Sequence, residues 1–300
     1  MARTDIEFNA EGTTLRGWLY RPEGAGDDQA PGIVMAHGFS AVKEDYLDSF
    51  AEVFSAAGFA TLVFDNRNFG ASDGEPRQEI DPWAQVRDYR HAITYLCTLP
   101  GIDRERIGVW GSSYSGGHVI VLGAIDRRIR CVVAQVPLVS GLRNVQRLVR
   151  SDFMAGLRDA LVADREARFA GKEPGMIPVV AEDPLAPSAL PTPDSWKWFT
   201  ETAELRAPSW RNEVTLRSIE MLMEYEPGIY IDRIAPTPFC MVVAAQDHLT
   251  PSDLALAAYE QALEPKQLAL LPGHHFDAYT GDGFAQASAA ARDWFATHLG

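Results

Sequence analysis

Between residues 111 and 117 the chain reads GSSYSGG, three serines among three glycines, directly behind the apolar run IGVW. A serine hydroxyl is a poor nucleophile at neutral pH. It needs a base, an acid to orient that base, and donors for the charge that forms on a carbonyl oxygen. A sharp strand-to-helix turn of the pattern G-x-S-x-G meets part of this need by lifting one serine out at the sheet edge. The pattern fits around Ser113 with one departure: Gly111 stands two residues before it, but Ser115 stands two after. As a nucleophile, Ser115 would lie inside the helix, and Ser112 would need Trp110 and Tyr114 at positions reserved for small residues. A strand ending just before Gly111 and a helix starting at Tyr114 favour Ser113. No G-K-[ST] follows and the spacing is not G-x-G-x-x-G, which argues against a phosphate cradle.

The acid and base of such a serine are expected on loops after later strands, in the order Ser, Asp, His. PFCMVVAAQDHLTP supplies Asp247 just past a strand end, and QLALLPGHHFDAY supplies His274 and His275 past the next. Rival acids fit less well. Asp65 follows an earlier strand and reads as a tie for the loop around Arg67; Asp232 precedes its strand; Asp253 reads as a charge in the first turn of a helix. The remaining histidines, His37, His91, His118, His248 and His298, read as structural, with His37 beside the site through its backbone. For the oxyanion, one amide is expected from Tyr114 and a second from Phe39 in HGFSAVKE. Lys43 and Glu44 in that segment read as a charge pair at a helix start.

These residues need a scaffold that brings strand ends to one edge. TDIEFNAEGTTLRGWLYRPEG predicts two strands around the turn AEGT, and PGIVMA a strand buried on both faces. Strands and helices then alternate: LDSFAEVFSAAGF as helix, ATLVFD as strand, WAQVRDYRHAITYLCTL as helix, RIGVW as strand, YSGGHVIVLGAI as helix and IRCVVAQV as strand. That order predicts a mainly parallel sheet with helices on both faces. The rhythm breaks from about 140 to 229, where charged helical patterns, a Pro-rich stretch and WKWF replace clear buried strands. It resumes with PFCMVVAA, LALAAYEQAL, QLALLP and a final helix. Residues 1–139 and 230–300 are therefore expected to form one α/β core, and residues 140–229 a helical insertion. Because ligands bind beyond the carboxyl ends of such strands, the insertion is expected to act as a lid.

Composition limits the partners. The 300 residues carry a formal net charge of −14 with no offsetting basic cluster, which disfavours nucleic acid and anionic membranes. No window approaches the length of a bilayer span, and the opening MARTDIEF has no apolar signal region, so a reducing cytoplasm is the expected setting. Cys97, Cys131 and Cys240 lie apart in apolar stretches and read as buried thiols, without zinc-like spacing or a disulfide framework. No cofactor or metal is expected. Oligomeric state is not legible, and a homodimer stays open.

In HGFSAVKE, DNRNFGASDGEPRQEIDPW, GSSYSGGH, DHLTP and GHHFDAY, taken in order, the chain resembles the α/β-hydrolase superfamily over nearly everything outside 140–229. The similarity is to the branch joining peptidase-like and dienelactone-hydrolase-like members with fungal polyketide transferases and bacterial esterases. That resemblance implies Ser113 as nucleophile, Asp247 as acid and His275 as base, since relatives usually read G-x-H-F-[DE]-x-Y and His275 fits that frame where His274 does not. Asn66 and Asn68 depart from the commoner D-x-R-G-x-G. The expected function is a serine hydrolase that cleaves a small-molecule carboxylic ester or thioester through an acyl-enzyme. An acyltransferase with the same triad is the alternative, and a peptidase or a non-catalytic receptor fits less well. Trp196, Trp198, Phe199 and Trp210 either line an apolar pocket or pack the insertion on the core.

Overall fold

The computed structural model describes residues 2–23 and 29–300; Gly24, the last residue of the expected hairpin segment, lies outside them. Two strands open the chain, β1 (Ala2–Ala10) and β2 (Thr13–Arg21), joined by a tight turn in which Glu11 and Gly12 both take positive φ. Such a turn matches strand twist and favours glycine at the second central position. The rest of the core follows as β3 (Ala30–Ala36), α1 (Leu47–Ala56), β4 (Ala60–Phe64), α2 (Pro82–Thr98), β5 (Ile102–Ser112), α3 (Tyr114–Ile125) and β6 (Ile129–Gln135). After an intervening helical region come β7 (Phe239–Ala244), α8 (Ser252–Gln261), β8 (Lys266–Leu271) and α9 (Gly281–Leu299).

Among the described residues, eight strands form one sheet in the order β1-β2-β4-β3-β5-β6-β7-β8. The pairs β1–β2 and β2–β4 are antiparallel, and all others are parallel. This is an α/β-hydrolase fold. The central strands are buried on both faces over most of their length, which is why they read as mostly apolar runs. On one face α1 and α9 pack Phe50, Phe54 and Phe295 around Trp110; on the other, α2, α3 and α8 cover Val34, Val109 and Val132. Burying each large aromatic side chain contributes up to roughly 3 kcal/mol of transfer free energy.

Residues 140–229 hold α4 (Gly141–Leu148), α5 (Met154–Phe169), α6 (Pro193–Leu205) and α7 (Leu216–Glu224). No clear strand was expected there. Met176–Ile177 and Val214–Thr215 nevertheless pair as a two-residue ladder, too short to leave a pattern in the sequence. The region is fastened to the core through the Ile80 amide on Ser218 Oγ (2.9 Å), the Thr215 amide on the Gln78 carbonyl (3.2 Å), and the Arg206 guanidinium, which pairs with Asp48 and lies 4.3 Å from the Tyr46 ring centre.

Candidate active site

Parallel strands put their carboxyl ends on one edge, and four of those ends carry the residues singled out by chemistry. Phe39 follows β3, Ser113 follows β5, Asp247 follows β7, and His275 follows β8, where it opens a short 3-10 turn (His275–Tyr279). Strand β5 runs on through Ser112, beyond the end expected before Gly111, because Gly111 and Ser112 pair with Ala134 and Gln135 of β6.

Ser113 then turns the chain at φ 59° and ψ −117°, a conformation that costs a non-glycine residue on the order of 1–3 kcal/mol. Two hydrogen bonds hold it there: its amide donates to the Gln135 carbonyl (2.9 Å) and its carbonyl accepts from the Leu138 amide (2.9 Å). A Cβ on Gly111 would stand 2.1 Å from the Ser115 carbonyl oxygen, so this turn requires glycine there.

The three serines have separate partners. Ser112 Oγ is buried 2.6 Å from Tyr279 Oη, and Ser115 Oγ donates to the His37 carbonyl at 2.6 Å. Ser115, where glycine was expected, thus ties α3 to the loop after β3. Ser113 alone of the three lines the pocket at this edge.

In the same pocket His275 Nδ1 lies 2.7 Å from Asp247 Oδ2, both side chains being buried. Asp247 Oδ1 accepts the Leu249 and Thr250 amides, each at 2.8 Å. Thr250 Oγ1 stands 2.9 Å from Asp247 Oδ2 and from the Val136 carbonyl, and 3.2 Å from His275 Nδ1. An ionised carboxylate only accepts, so Nδ1 carries the proton and Nε2 is left with a lone pair. Thr250 received no role from the sequence; the D-x-x-T-P spacing was the signal that it folds back onto Asp247. His274 faces elsewhere, exposed, with Nδ1 2.9 Å from the Gln246 carbonyl.

The loop after β3 is built from buried groups. The Asn66 amide donates to His37 Nε2 (3.0 Å), which places the ring proton on Nδ1, 3.0 Å from the Gly38 carbonyl. Burial lowers the His37 pKa, in keeping with this neutral ring. Asn66 Nδ2 also donates to the His37 carbonyl, and Asn68, at φ 72°, donates to the Glu79 carbonyl. Asn68, which stands where the family pattern has glycine, and Asn66 thus brace this loop and its neighbour.

Asp65 anchors Lys43 through its amide (2.8 Å) and Nζ (2.7 Å) and also holds the Ala71 amide. Arg67 is held separately by Asp88. Lys43 also reaches Glu44, but α1 starts only at Leu47, so the expected helix-start pair is instead a buried bridge between two loops.

Neither the Phe39 nor the Tyr114 amide donates to a described residue, and the Phe39 and Tyr114 rings meet edge to face. A Cβ on Gly38 would stand 2.9 Å from Ser113 Cβ and 3.4 Å from its Oγ. Gly38→Ala is expected to push the serine aside and lower kcat about a hundredfold, with the melting temperature nearly kept. Steady-state kinetics beside thermal melts check this.

The aromatic residues of 140–229 divide. Trp198 and Phe199 line the pocket, Trp198 stacking on Phe276 with ring centres 4.7 Å apart; Trp196 and Trp210 pack against the core, Trp210 on Phe199. The free space enclosed is about 40 Å³, room for a few water molecules.

Asp45 also lines the pocket, and burial pushes its carboxyl up to about 7, helped by Glu44 and Asp65 and opposed by the Val42 amide and Arg206. The folded chain therefore holds a proton that the unfolded chain releases near 3.8, so stability is lost as pH rises from about 4 to about 7. The loss amounts to as much as about 4 kcal/mol. Asp45→Asn, neutral at every pH and still able to accept the Val42 amide, is expected to gain on the wild type by about 5 °C or more in melting temperature between pH 5 and pH 8. An unchanging difference across that range contradicts the assignment.

The chain belongs to the α/β-hydrolase family, whose model matches residues 33–287, a family of enzymes. Similar proteins include the thiohydrolase aneE of Aspergillus aculeatus, 36% identical over 88% of this chain and 83% of the relative. The polyketide transferase grgF of a Penicillium species is 30% identical over 94% and 92%. A solved structure of DcsB in complex with its substrate analogue superposes with a TM-score of 0.86 at 26% identity, covering 99% of this chain and 100% of that one. No helix among the described residues is long and apolar enough to cross a membrane.

Proposed function

We propose that the protein cleaves a carboxylic thioester or ester through an acyl-enzyme formed on Ser113. The observation that carries this reading is the buried 2.7 Å pair between Asp247 and His275, with His275 lining one pocket together with a serine held at φ 59°. In this mechanism Ser113 Oγ attacks the carbonyl carbon while His275 Nε2 takes its proton. The oxyanion is bound by the Phe39 and Tyr114 amides, aided by the positive end of α3. Asp247 holds the tautomer and stabilises the imidazolium. The carbon–sulfur or carbon–oxygen bond then breaks, and the leaving thiol or alcohol takes the proton from His275. Water, deprotonated by His275, attacks the acyl-enzyme, and the carboxylic acid leaves as Ser113 recovers its proton.

Transfer of the acyl group to an alcohol or amine is the second reading. It is favoured by the narrow pocket under Leu190, Trp198, Phe199 and Leu222, where little water is held, and by the similarity to a polyketide transferase. Residues 140–229 act as the lid in both readings, moving to admit the acyl chain. Incubation with an acyl N-acetylcysteamine thioester, with and without a competing alcohol, separates the readings. Free acid with thiol release supports hydrolysis, an ester product supports transfer, and no Ser113-dependent thiol release contradicts both.

A further inference from the structure

Most polar groups at the pocket wall are already engaged. The His37 ring is spent on the Asn66 amide and the Gly38 carbonyl, Thr250 Oγ1 on Asp247 and Val136, and Tyr279 Oη on Ser112. Ser113 and His275 are reserved for chemistry. Two groups remain. Asp45 Oδ2 accepts the Val42 amide at 2.8 Å, but its second oxygen takes no hydrogen bond from a described residue. The side-chain amide of Asn144, on α4, makes none with the described residues either. Both residues line the pocket, at 2% and 5% exposure.

Much of the wall beside them is apolar, with Leu47, Leu138, Leu190, Trp198 and Phe199 among its residues. A buried polar group facing such a wall is unfavourable unless something in the cavity pairs with it. We infer that Asp45 and Asn144 bind a hydroxyl group on the acyl chain, making the pocket selective for hydroxylated over plain alkyl acyl groups; this rests on the serine-hydrolase reading above. A hydroxyl fits where a ketone or ether does not. It donates to an ionised carboxylate and accepts from a neutral one, so it satisfies Asp45 in either state, and Asn144 offers both a donor and an acceptor. A site built around such a bond discriminates against the analogue that lacks the hydroxyl, because its own buried groups are then left unpaired.

The test uses N-acetylcysteamine thioesters of octanoic acid and of its β-, δ- and ω-hydroxylated counterparts. In the wild type, kcat/KM for at least one hydroxylated thioester is expected to exceed that of the parent by about tenfold. Asp45→Leu is expected to bring that ratio near one, and Asp45→Asn to keep it within about threefold of the wild-type value, because the amide still pairs with a hydroxyl. Asn144→Leu, whose side chain leaves no protein partner behind, is expected to lower the same ratio and carries the test should Asp45→Leu fail to fold. Equal kcat/KM across the series in the wild type overturns the inference. So does an undiminished ratio in Asn144→Leu together with either Asp45→Leu or a wild-type preference that Asp45→Asn abolishes. Failure of the serine-hydrolase reading is distinct: none of the thioesters, the unsubstituted parent included, then shows Ser113-dependent turnover.

Discussion

Ser113→Ala is expected to lower turnover of a thioester substrate by about ten-thousandfold or more, equivalent to roughly 5.5 kcal/mol of transition-state stabilisation. The alanine removes the atom that forms the acyl-enzyme and leaves the turn that presents it. That turn is held by backbone hydrogen bonds to Gln135 and Leu138, which do not involve the hydroxyl. Alanine tolerates φ 59° no worse than serine, so the variant is expected to melt within about 2 °C of the wild type. Residual activity comes from amides that bind the oxyanion and from substrate positioning. Initial rates of thiol release, measured beside thermal melts, check both parts. A variant that melts normally and keeps a tenth of the activity would contradict the role given to Ser113.

Asp247→Asn is expected to cost about ten-thousandfold in kcat for a different reason. The carboxylate accepts the Leu249 and Thr250 amides and faces both Thr250 Oγ1 and His275 Nδ1. An asparagine keeps its carbonyl on the two amides through Oδ1. Its NH2 then falls on the side of His275 and donates to Nδ1, which moves the ring proton to Nε2. A base protonated on the nitrogen that faces the serine cannot accept the serine's proton. The Thr250 hydroxyl, close to both partners, cannot restore the tautomer, because it can itself donate to Nδ1. Pre-steady-state rates of acyl-enzyme formation read this effect directly. Acylation as fast as in the wild type would contradict the proposed orienting role of Asp247.

How much of this was legible from residues alone depended on whether the pattern was local. The parallel core was readable because β4, β6 and β7 carry the mostly apolar stretches ATLVF, CVVA and FCMVVA, and the hairpin because Glu11-Gly12 is a strong turn signal. The strand-end positions of Phe39, Ser113, Asp247 and His275 followed from the same rhythm; the structure brings Phe39, Ser113 and His275 to one pocket, with Asp247 paired to His275 behind its wall. What the sequence left unread are contacts between segments far apart in the chain. Thr250 reaching Val136, Ser115 reaching His37, and Lys43 reaching Asp65 span 114, 78 and 22 residues, with no periodicity to announce them. Asp45 was passed over for the same reason. Beside Glu44 it reads as one more charge on an acidic surface, and only the fold buries it against Val42 in the pocket wall. The division of Trp196, Trp198 and Phe199 between pocket and packing was equally unreadable, because spacing along α6 does not say which face meets the β8 loop, and Trp210 lies in the irregular stretch after that helix.

Reacting the protein with a fluorophosphonate and mapping the adduct by peptide mass shows whether Ser113 is the nucleophile of this pocket. One adduct per chain is expected, on Ser113, absent from Ser113→Ala and formed much more slowly in Asp247→Asn. An adduct on another residue, or labelling of Ser113→Ala to the wild-type extent, would contradict it.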